Sequence, residues 1–268
     1  ETADRVAGGD KTVVPMGGPA SRQGRVAADH IFLGDKARPY PGSLGTAIVR
    51  VFETVAGITG WSEQRLQAAG HDYRTVTSND HQHATYYPGA KPLTVKILWA
   101  PESGLLLGAQ VSGFDGVDKR LDVLATAMRA GMDVRQLAEL ELCYAPPFSS
   151  AKDPISVAGM IATNALDGVT TLAHADALPE GALLLDVREP AELAQGALKG
   201  AVNIPLHQLR ARAFELPKDR KIVIYCQVGL RGYVAERILK QLGYNVANLS
   251  GGYLTWKQFQ PEKWIPSD

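Results

Sequence analysis

The sequence predicts an α+β domain over residues 44–165, followed by a second domain built on one strand–loop–helix unit. Three observations carry this. Leu93, Val95, Ile97 and Trp99 alternate with Thr94, Lys96 and Leu98, the period of a strand. Pro101-Glu102-Ser103-Gly104 reads as a turn and residues 105–111 as the returning strand, and helical patterns follow at 119–130 and 134–140. Strands first and helices later give a layered α+β arrangement. Third, Ile222-Val223-Ile224-Tyr225 is a short apolar, β-rich run, and Val234, Ile238, Leu239 and Leu242 line one face of a helix after it.

The remaining elements are less self-sufficient. Residues 15–25 form a glycine-rich loop, Pro15-Met16-Gly17-Gly18 and onward, leading into a short helix-like run at 26–31. Ala37-Arg38-Pro39-Tyr40-Pro41-Gly42-Ser43 breaks periodicity and reads as a linker. No internal repeat is evident.

Composition bounds the function. The chain has 268 residues, 45% hydrophobic and 21% charged, with zero formal net charge, which suits a soluble globular protein of about two domains. Balanced charge offers no footprint for nucleic acid or an anionic membrane. No apolar run reaches membrane-spanning length. Cys143 and Cys226 make no disulfide framework, and no zinc-type Cys/His spacing occurs. A lone reactive thiol favours a reducing, cytoplasmic setting. The chain opens on Glu1 in mid-pattern and is expected to be a piece of a longer protein.

Cys226 sits between the strand and the helix, followed by Gln227, Val228, Gly229, Leu230, Arg231 and Gly232. A helix N-terminus offers unpaired N–H groups and a positive dipole end. Glycines let the loop curl into an anion-binding nest, and Arg231 adds fixed charge. Together these favour thiolate, the nucleophilic form. Thiolate phosphatases also run from Cys to Arg at a helix start, but with five intervening residues and a preceding His. Here four intervene and Tyr225 precedes, which suits one sulfur atom better than a phosphate. The bland alternative, a buried small hydrophobe, does not predict the Gly/Arg nest. Cys143 has no such nest and reads as a packed residue.

Cys226-Gln227-Val228-Gly229-Leu230-Arg231 resembles the active loop of the rhodanese sulfurtransferases. Leu184-Leu185-Asp186-Val187-Arg188-Glu189-Pro190, Gly200-Ala201-Val202-Asn203-Ile204-Pro205 and Gly251-Gly252-Tyr253-Leu254-Thr255-Trp256 resemble that family's other landmarks, in order, over residues 170–268. The resemblance implies an α/β domain with a central parallel sheet flanked by helices, and a carrier cysteine that holds sulfane sulfur as a persulfide. It also implies that Asp186 and Arg188 are scaffold bracing the loop, with Asp186 alternatively a supporting group near Cys226. Gly232 departs from it, standing where many relatives have a small hydroxyl residue.

Upstream, Gly45-Thr46-Ala47, residues 54–60 and Leu106-Leu107-Gly108-Ala109-Gln110 resemble the dimerisation domain of pyridine-nucleotide disulfide reductases. Residues 1–37 resemble the end of that family's flavin-binding domain, which implies that Pro15, Gly17 and Gly18 face a flavin in the parent protein. His83-Ala84-Thr85-Tyr86-Tyr87-Pro88-Gly89 and the stretch from Tyr144-Ala145-Pro146-Pro147 resemble the coenzyme A disulfide reductase branch, and the His-Glu pair of glutathione-type reductases is missing. The resemblance gives Tyr86 and Tyr144 a reach across a homodimer to the partner's reactive cysteine. Without it, both read as amphipathic core residues. His81 and His83 share a strand face, but nothing completes a metal site, and no metal is expected.

The combined expectation is the dimerisation and rhodanese domains of an FAD- and NAD(P)H-dependent reductase of coenzyme A disulfide, persulfide or polysulfide. Its partners would be a second copy, an upstream flavin domain, and persulfide, polysulfide or coenzyme A-linked substrates. No GxGxxG fingerprint occurs, so this chain alone is expected to bind no cofactor. The alternative is a rhodanese fold used only for docking, its Cys loop silent.

Overall fold

The computed structural model describes residues 2–6, 11–259 and 264–265. The chain divides into two compact units, residues 1–74 with 97–133, and residues 75–96 with 134–268. In chain order, ribbon strands β1 (Thr2–Ala3) and β2 (Lys11–Thr12) precede helix α1 (Gly17–Leu33). Strands β3 (Ala47–Val51) and β4 (Thr54–Gly60), helix α2 (Glu63–Ala68), and strands β5 (Arg74–His81), β6 (Pro92–Trp99) and β7 (Leu106–Gly113) follow. Then come helices α3 (Val117–Ala130), α4 (Val134–Ala138) and α5 (Pro154–Leu166). The rest comprises β8 (Leu172–Ala173), β9 (Leu183–Asp186), α6 (Pro190–Leu193), β10 (Ala197–Leu198), β11 (Val202–Asn203), α7 (Leu209–Arg212), β12 (Ile222–Tyr225), α8 (Leu230–Gln241), β13 (Val246–Leu249), α9 (Gly252–Phe259) and β14 (Trp264–Ile265).

The first sheet has the order β3-β4-β7-β6-β5. β4 runs antiparallel to β3 and to β7, in register from Val55↔Gly113 to Gly60↔Gly108. Glycine permits close approach at Gly57, where a Cβ would lie 2.5 Å from Leu121 Cδ2 of α3. Leu121 and Leu124 of α3 are accordingly buried. The helix at residues 17–33 is longer than the run expected at 26–31, because it starts at Gly17-Gly18, where the apolar pattern is silent.

The second sheet is parallel throughout, in the order β11-β9-β12-β13-β8. All four residues of β12 are buried, so both faces are covered, as a parallel sheet requires. Side chains alternate across the sheet. Ile222, Ile224 and Cys226 pack with Ala235, Ile238 and Leu239 of α8, whereas Val223 and Tyr225 pack with Tyr253 and Trp256 of α9. The chain is thus an α+β domain followed by an α/β domain. Helix α8 begins at Leu230, four residues before the apolar periodicity: Gly229, at φ 112°, is its N-cap. Arg231 and Gly232 therefore belong to the helix's first turn.

Helices α4 and α5 meet at a glycine. A Cβ on Gly159 would sit 2.6 Å from the backbone nitrogen of Ala138, and backbone cannot swing aside. Alanine favours helix over glycine by about 0.5–1 kcal/mol, but overpacking costs about 1–3 kcal/mol, so the steric effect wins. Gly159→Ala is expected to lower the midpoint of chemical denaturation, and a raised midpoint would contradict this packing.

Candidate functional site

The site grows from the end of β12. Cys226 is buried, and its Sγ accepts the Gly229 N–H at 3.2 Å. The loop's carbonyls are turned away by α9: Tyr253 N–H donates to Cys226 O at 2.8 Å and Leu254 N–H to Gln227 O at 3.1 Å. With those oxygens engaged by α9, the Gly229 amide is the loop donor shown on the sulfur. The approach depends on Gly252, at φ 62°, where a Cβ would stand 2.5 Å from Cys226 O. Asn248 of β13 donates from Nδ2 to Gly229 O at 3.1 Å, holding the far end of the loop.

Gln227 is braced from β9. Arg188 Nη1 donates to its Oε1 at 3.2 Å. Arg188 is itself fully buried, paired with Asp186 Oδ2 at 2.8 Å, bonded to Gly196 O at 2.8 Å, and stacked over the Tyr253 ring at 4.2 Å. Burial alone would lower the guanidinium pKa, but hydrogen bonds and charge from Asp186 outweigh it, and the net direction is up. Asn203 Nδ2 ties down the carbonyls of Asp186 and Arg188, both at 3.0 Å. This is the bracing role the resemblance implied for the pair.

Arg231 is not free. Its Nη1 and Nη2 form a fork on Glu192 Oε2 and Oε1, at 2.6 and 2.7 Å. That bond holds the Glu192 carboxyl down at about 2, and Glu192 together with the nearby Cys226 pushes the Arg231 guanidinium up. Sequence reasoning missed Glu192, although Glu189-Pro190-Ala191-Glu192 carries a readable signal. Glu189 is the N-cap of α6 and Glu192 its third residue, a capping box in which Glu192 Oε2 also accepts the Glu189 N–H at 3.0 Å. Asn248 was missed as well. Its Oδ1 is buried without a hydrogen-bond partner and lies where a side chain on residue 232 would go, so Gly232 is matched to Asn248. Val228 and Leu230 are exposed and form an apolar rim.

The structure brings Tyr86 and Tyr144 together. Their hydroxyls lie 2.8 Å apart, and both rings are exposed rather than core. The bond from Tyr144 pushes the Tyr86 phenol up, so Tyr86 stays protonated at neutral pH. Their loops are fastened to each other. Ala84 N–H donates to Ser149 O at 3.2 Å, and Ser149 Oγ bonds Asp153, the N-cap of α5, at 2.7 Å. His83 is buried with Nδ1 3.0 Å from Ala84 O and its ring edge-on to Tyr87, a packing role. Cys143, expected to be packed, is exposed: it lies in the irregular segment between α4 and α5, which turns it outward. Among the described residues no group of three or more His, Cys, Asp or Glu converges as a metal site would require.

Pro15, Gly17 and Gly18 are exposed at the start of α1, whose N-cap Met16 supplies no side-chain cap. Gly18 lines a groove of about 860 Å³ with Arg22, Tyr40 and Arg129. Open N–H groups beside arginines fit the polar or anionic edge of a flavin nucleotide.

Residues 171–259 match the rhodanese-like domain family, and residues 46–154 match the pyridine nucleotide-disulphide oxidoreductase dimerisation domain. A coenzyme A disulfide reductase of Staphylococcus aureus is 36% identical over 146 residues, covering 54% of this chain and 33% of that protein. The crystal structure of reduced CoADR-RHD from Bacillus anthracis superposes with a TM-score of 0.95 at 43% identity, covering 99% of this chain and 48% of that one. The NAD-dependent persulfide reductase from A. fulgidus gives 0.85 at 39%, covering 95% and 46%. The chain spans about a third of the curated relatives it matches and just under half of these two solved structures. It therefore carries a pyridine nucleotide-disulphide oxidoreductase dimerisation domain over residues 46–154 and a rhodanese-like domain over residues 171–259.

Proposed function

We propose that Cys226 carries sulfane sulfur within an FAD- and NAD(P)H-dependent reductase of coenzyme A disulfide, persulfide or polysulfide. The observation that carries this reading is a buried cysteine whose sulfur accepts an amide at the start of α8, with loop carbonyls anchored behind it. In loading, the Cys226 thiolate attacks the outer sulfur of a donor such as thiosulfate. The Sγ–S bond forms, the donor's S–S bond breaks, and sulfite leaves with the electron pair. In unloading, an acceptor thiolate attacks the outer sulfur, giving an acceptor persulfide and restoring the Cys226 thiolate. Charge and atoms balance in both steps, and the loop's donors serve both anions.

In the whole protein, FAD would pass electrons from NAD(P)H to a reactive cysteine. Tyr86 and Tyr144, joined through their hydroxyls, would donate a proton to a sulfur leaving group at the partner's site in a homodimer. The open start of α1 would face the flavin. Two free cysteines suit a reducing cytoplasm.

Mass spectrometry after incubation with thiosulfate tests the carrier role. Native chain should gain one sulfur atom on Cys226 and release it to cyanide as thiocyanate, and Cys226→Ser should gain none. Failure of the native chain to load from thiosulfate or a persulfide donor would favour a silent docking module. Arg231→Ala should slow loading by about ten- to a hundredfold, with Lys intermediate because it keeps charge near Cys226 but not the two-pronged hold on Glu192.

The Arg231–Glu192 clasp has a pH signature. Glu192 falls from 4.5 to about 2 in the folded state, so its stabilisation is fully present above pH 4.5 and is lost as pH falls through about 2. The difference in thermal midpoint between native and Glu192→Gln chains should therefore be largest above pH 4.5 and shrink toward pH 2. A difference that grows on acidification would overturn the clasp.

In the full-length flavoprotein, Tyr144→Phe should lower kcat for the disulfide or persulfide substrate without slowing flavin reduction by NAD(P)H. Equal losses in both steps would remove the proton-donor role.

A further inference from the structure

We infer that Asn79 of β5 is a positioning residue for the Cys226 loop. The inference deepens the sulfur-transfer reading and rests on it for its functional arm. Asn79 Nδ2 donates to Gly251 O and to Thr255 Oγ1, both at 2.8 Å. Its Oδ1 accepts the Thr94 hydroxyl of β6 at 2.8 Å, which fixes the amide's orientation. One strand position earlier on that face, Thr77 N–H donates to Ser250 Oγ at 2.9 Å. Ser250 and Gly251 are the turn that delivers α9, and α9 supplies the two N–H groups that hold Cys226 O and Gln227 O.

Gly251 is at φ 70°, and a Cβ there would collide with Thr255 Oγ1 and stand 3.2 Å from Asn79 Nδ2, so turn, helix and amide are closely fitted. Thr255 is buried, and Asn79 serves the Gly251 carbonyl and the Thr255 hydroxyl at once. The geometry is a chain of single hydrogen bonds from Thr94 through Asn79 to the Gly251-Gly252 turn, and from the first turn of α9 to the carbonyls flanking the nucleophile. Asn79 touches neither sulfur nor substrate. Its effect reaches Cys226 through the position of α9.

Asn79→Ala removes the brace, and Asn79→Asp keeps the acceptor for Thr94 but loses both donors. Two readouts are needed, both on correctly folded chains with native-like circular dichroism. Hydrogen exchange at the Tyr253 and Leu254 amides should quicken by about tenfold in both variants, the scale of a lost net hydrogen bond, with β12 amides unchanged. Sulfur loading from thiosulfate should show a fall in kcat of about three- to tenfold at near-native KM, because Asn79 bonds Gly251, Thr255 and Thr94 and no residue of the loop itself. Thr255→Ala, which removes one of two acceptors, should fall between. Unchanged exchange at Tyr253 and Leu254, or unchanged kcat despite faster exchange, overturns the proposal. Should the native chain load no sulfur, the carrier reading fails and the exchange arm alone decides whether Asn79 positions the loop.

Discussion

Two carbonyl oxygens decide what Cys226 can do. A loop of six residues contains as many acceptors as donors, and a nest for an anion exists only if the acceptors are drawn elsewhere. Here the N-terminus of α9 takes the oxygens of Cys226 and Gln227, and Asn248 takes that of Gly229. Each donor needs room, and the sequence provides it with glycine. A side chain on Gly252 would strike Cys226 O, and one on Gly232 would strike Asn248 Oδ1. The glycines thus serve the second layer that holds the loop as much as the loop itself. The buried Asp186–Arg188 pair is best understood the same way. A buried ion pair is weak evidence for stability, but this one spends its donors on Gly196 O and Gln227 Oε1, fixing the loop's second residue.

How much of this was legible depended on sequence distance. Strand β12, Cys226, the glycines and Arg231 lie within one contiguous stretch, so local chemistry revealed them. The parallel sheet came through resemblance, since β9 and β11 are too short for periodicity to speak. The start of α8 was placed four residues late because the first turn, Leu230-Arg231-Gly232-Tyr233, carries no apolar period and its Leu230 is exposed, so the pattern speaks only from Val234. The cap glycine, not the apolar stripe, sets that boundary. Glu192 and Asn248 are 39 and 19 residues from the groups they bond, and no spacing rule connects them. Asn79 is 172 residues from Gly251, and no local pattern links the two. Cys143 was misplaced because the lack of a glycine nest was read as packing, but an irregular segment need not bury what it carries.

The two candidate sulfur-handling groups differ in physical character. Cys226 is sealed among apolar side chains, where oriented dipoles act through a low dielectric and are strong. Tyr86 and Tyr144 are exposed in this chain, where a phenol–phenol bond is in competition with water. Such a pair gains force only when a second surface excludes water from it. That asymmetry is consistent with the two proposed roles, a carrier cysteine complete within one chain and a tyrosine pair that acts on assembly.

The clasp on Arg231 separates sulfur chemistry from phosphate chemistry more sharply than loop length does. A phosphate site uses its arginine as a bidentate fork on the substrate's oxygens. Here both fork nitrogens are occupied by Glu192, whose carboxyl is held ionised at about 2. A phosphate would have to displace that carboxylate and meet its negative charge at the rim. A single sulfur on Cys226 needs no fork: it takes one amide from Gly229 and the nearby positive charge, and it leaves the clasp closed. On the proposed carrier reading, the clasp leaves Arg231 no open fork for bidentate capture of a phosphate, while the Gly229 amide still meets the sulfur.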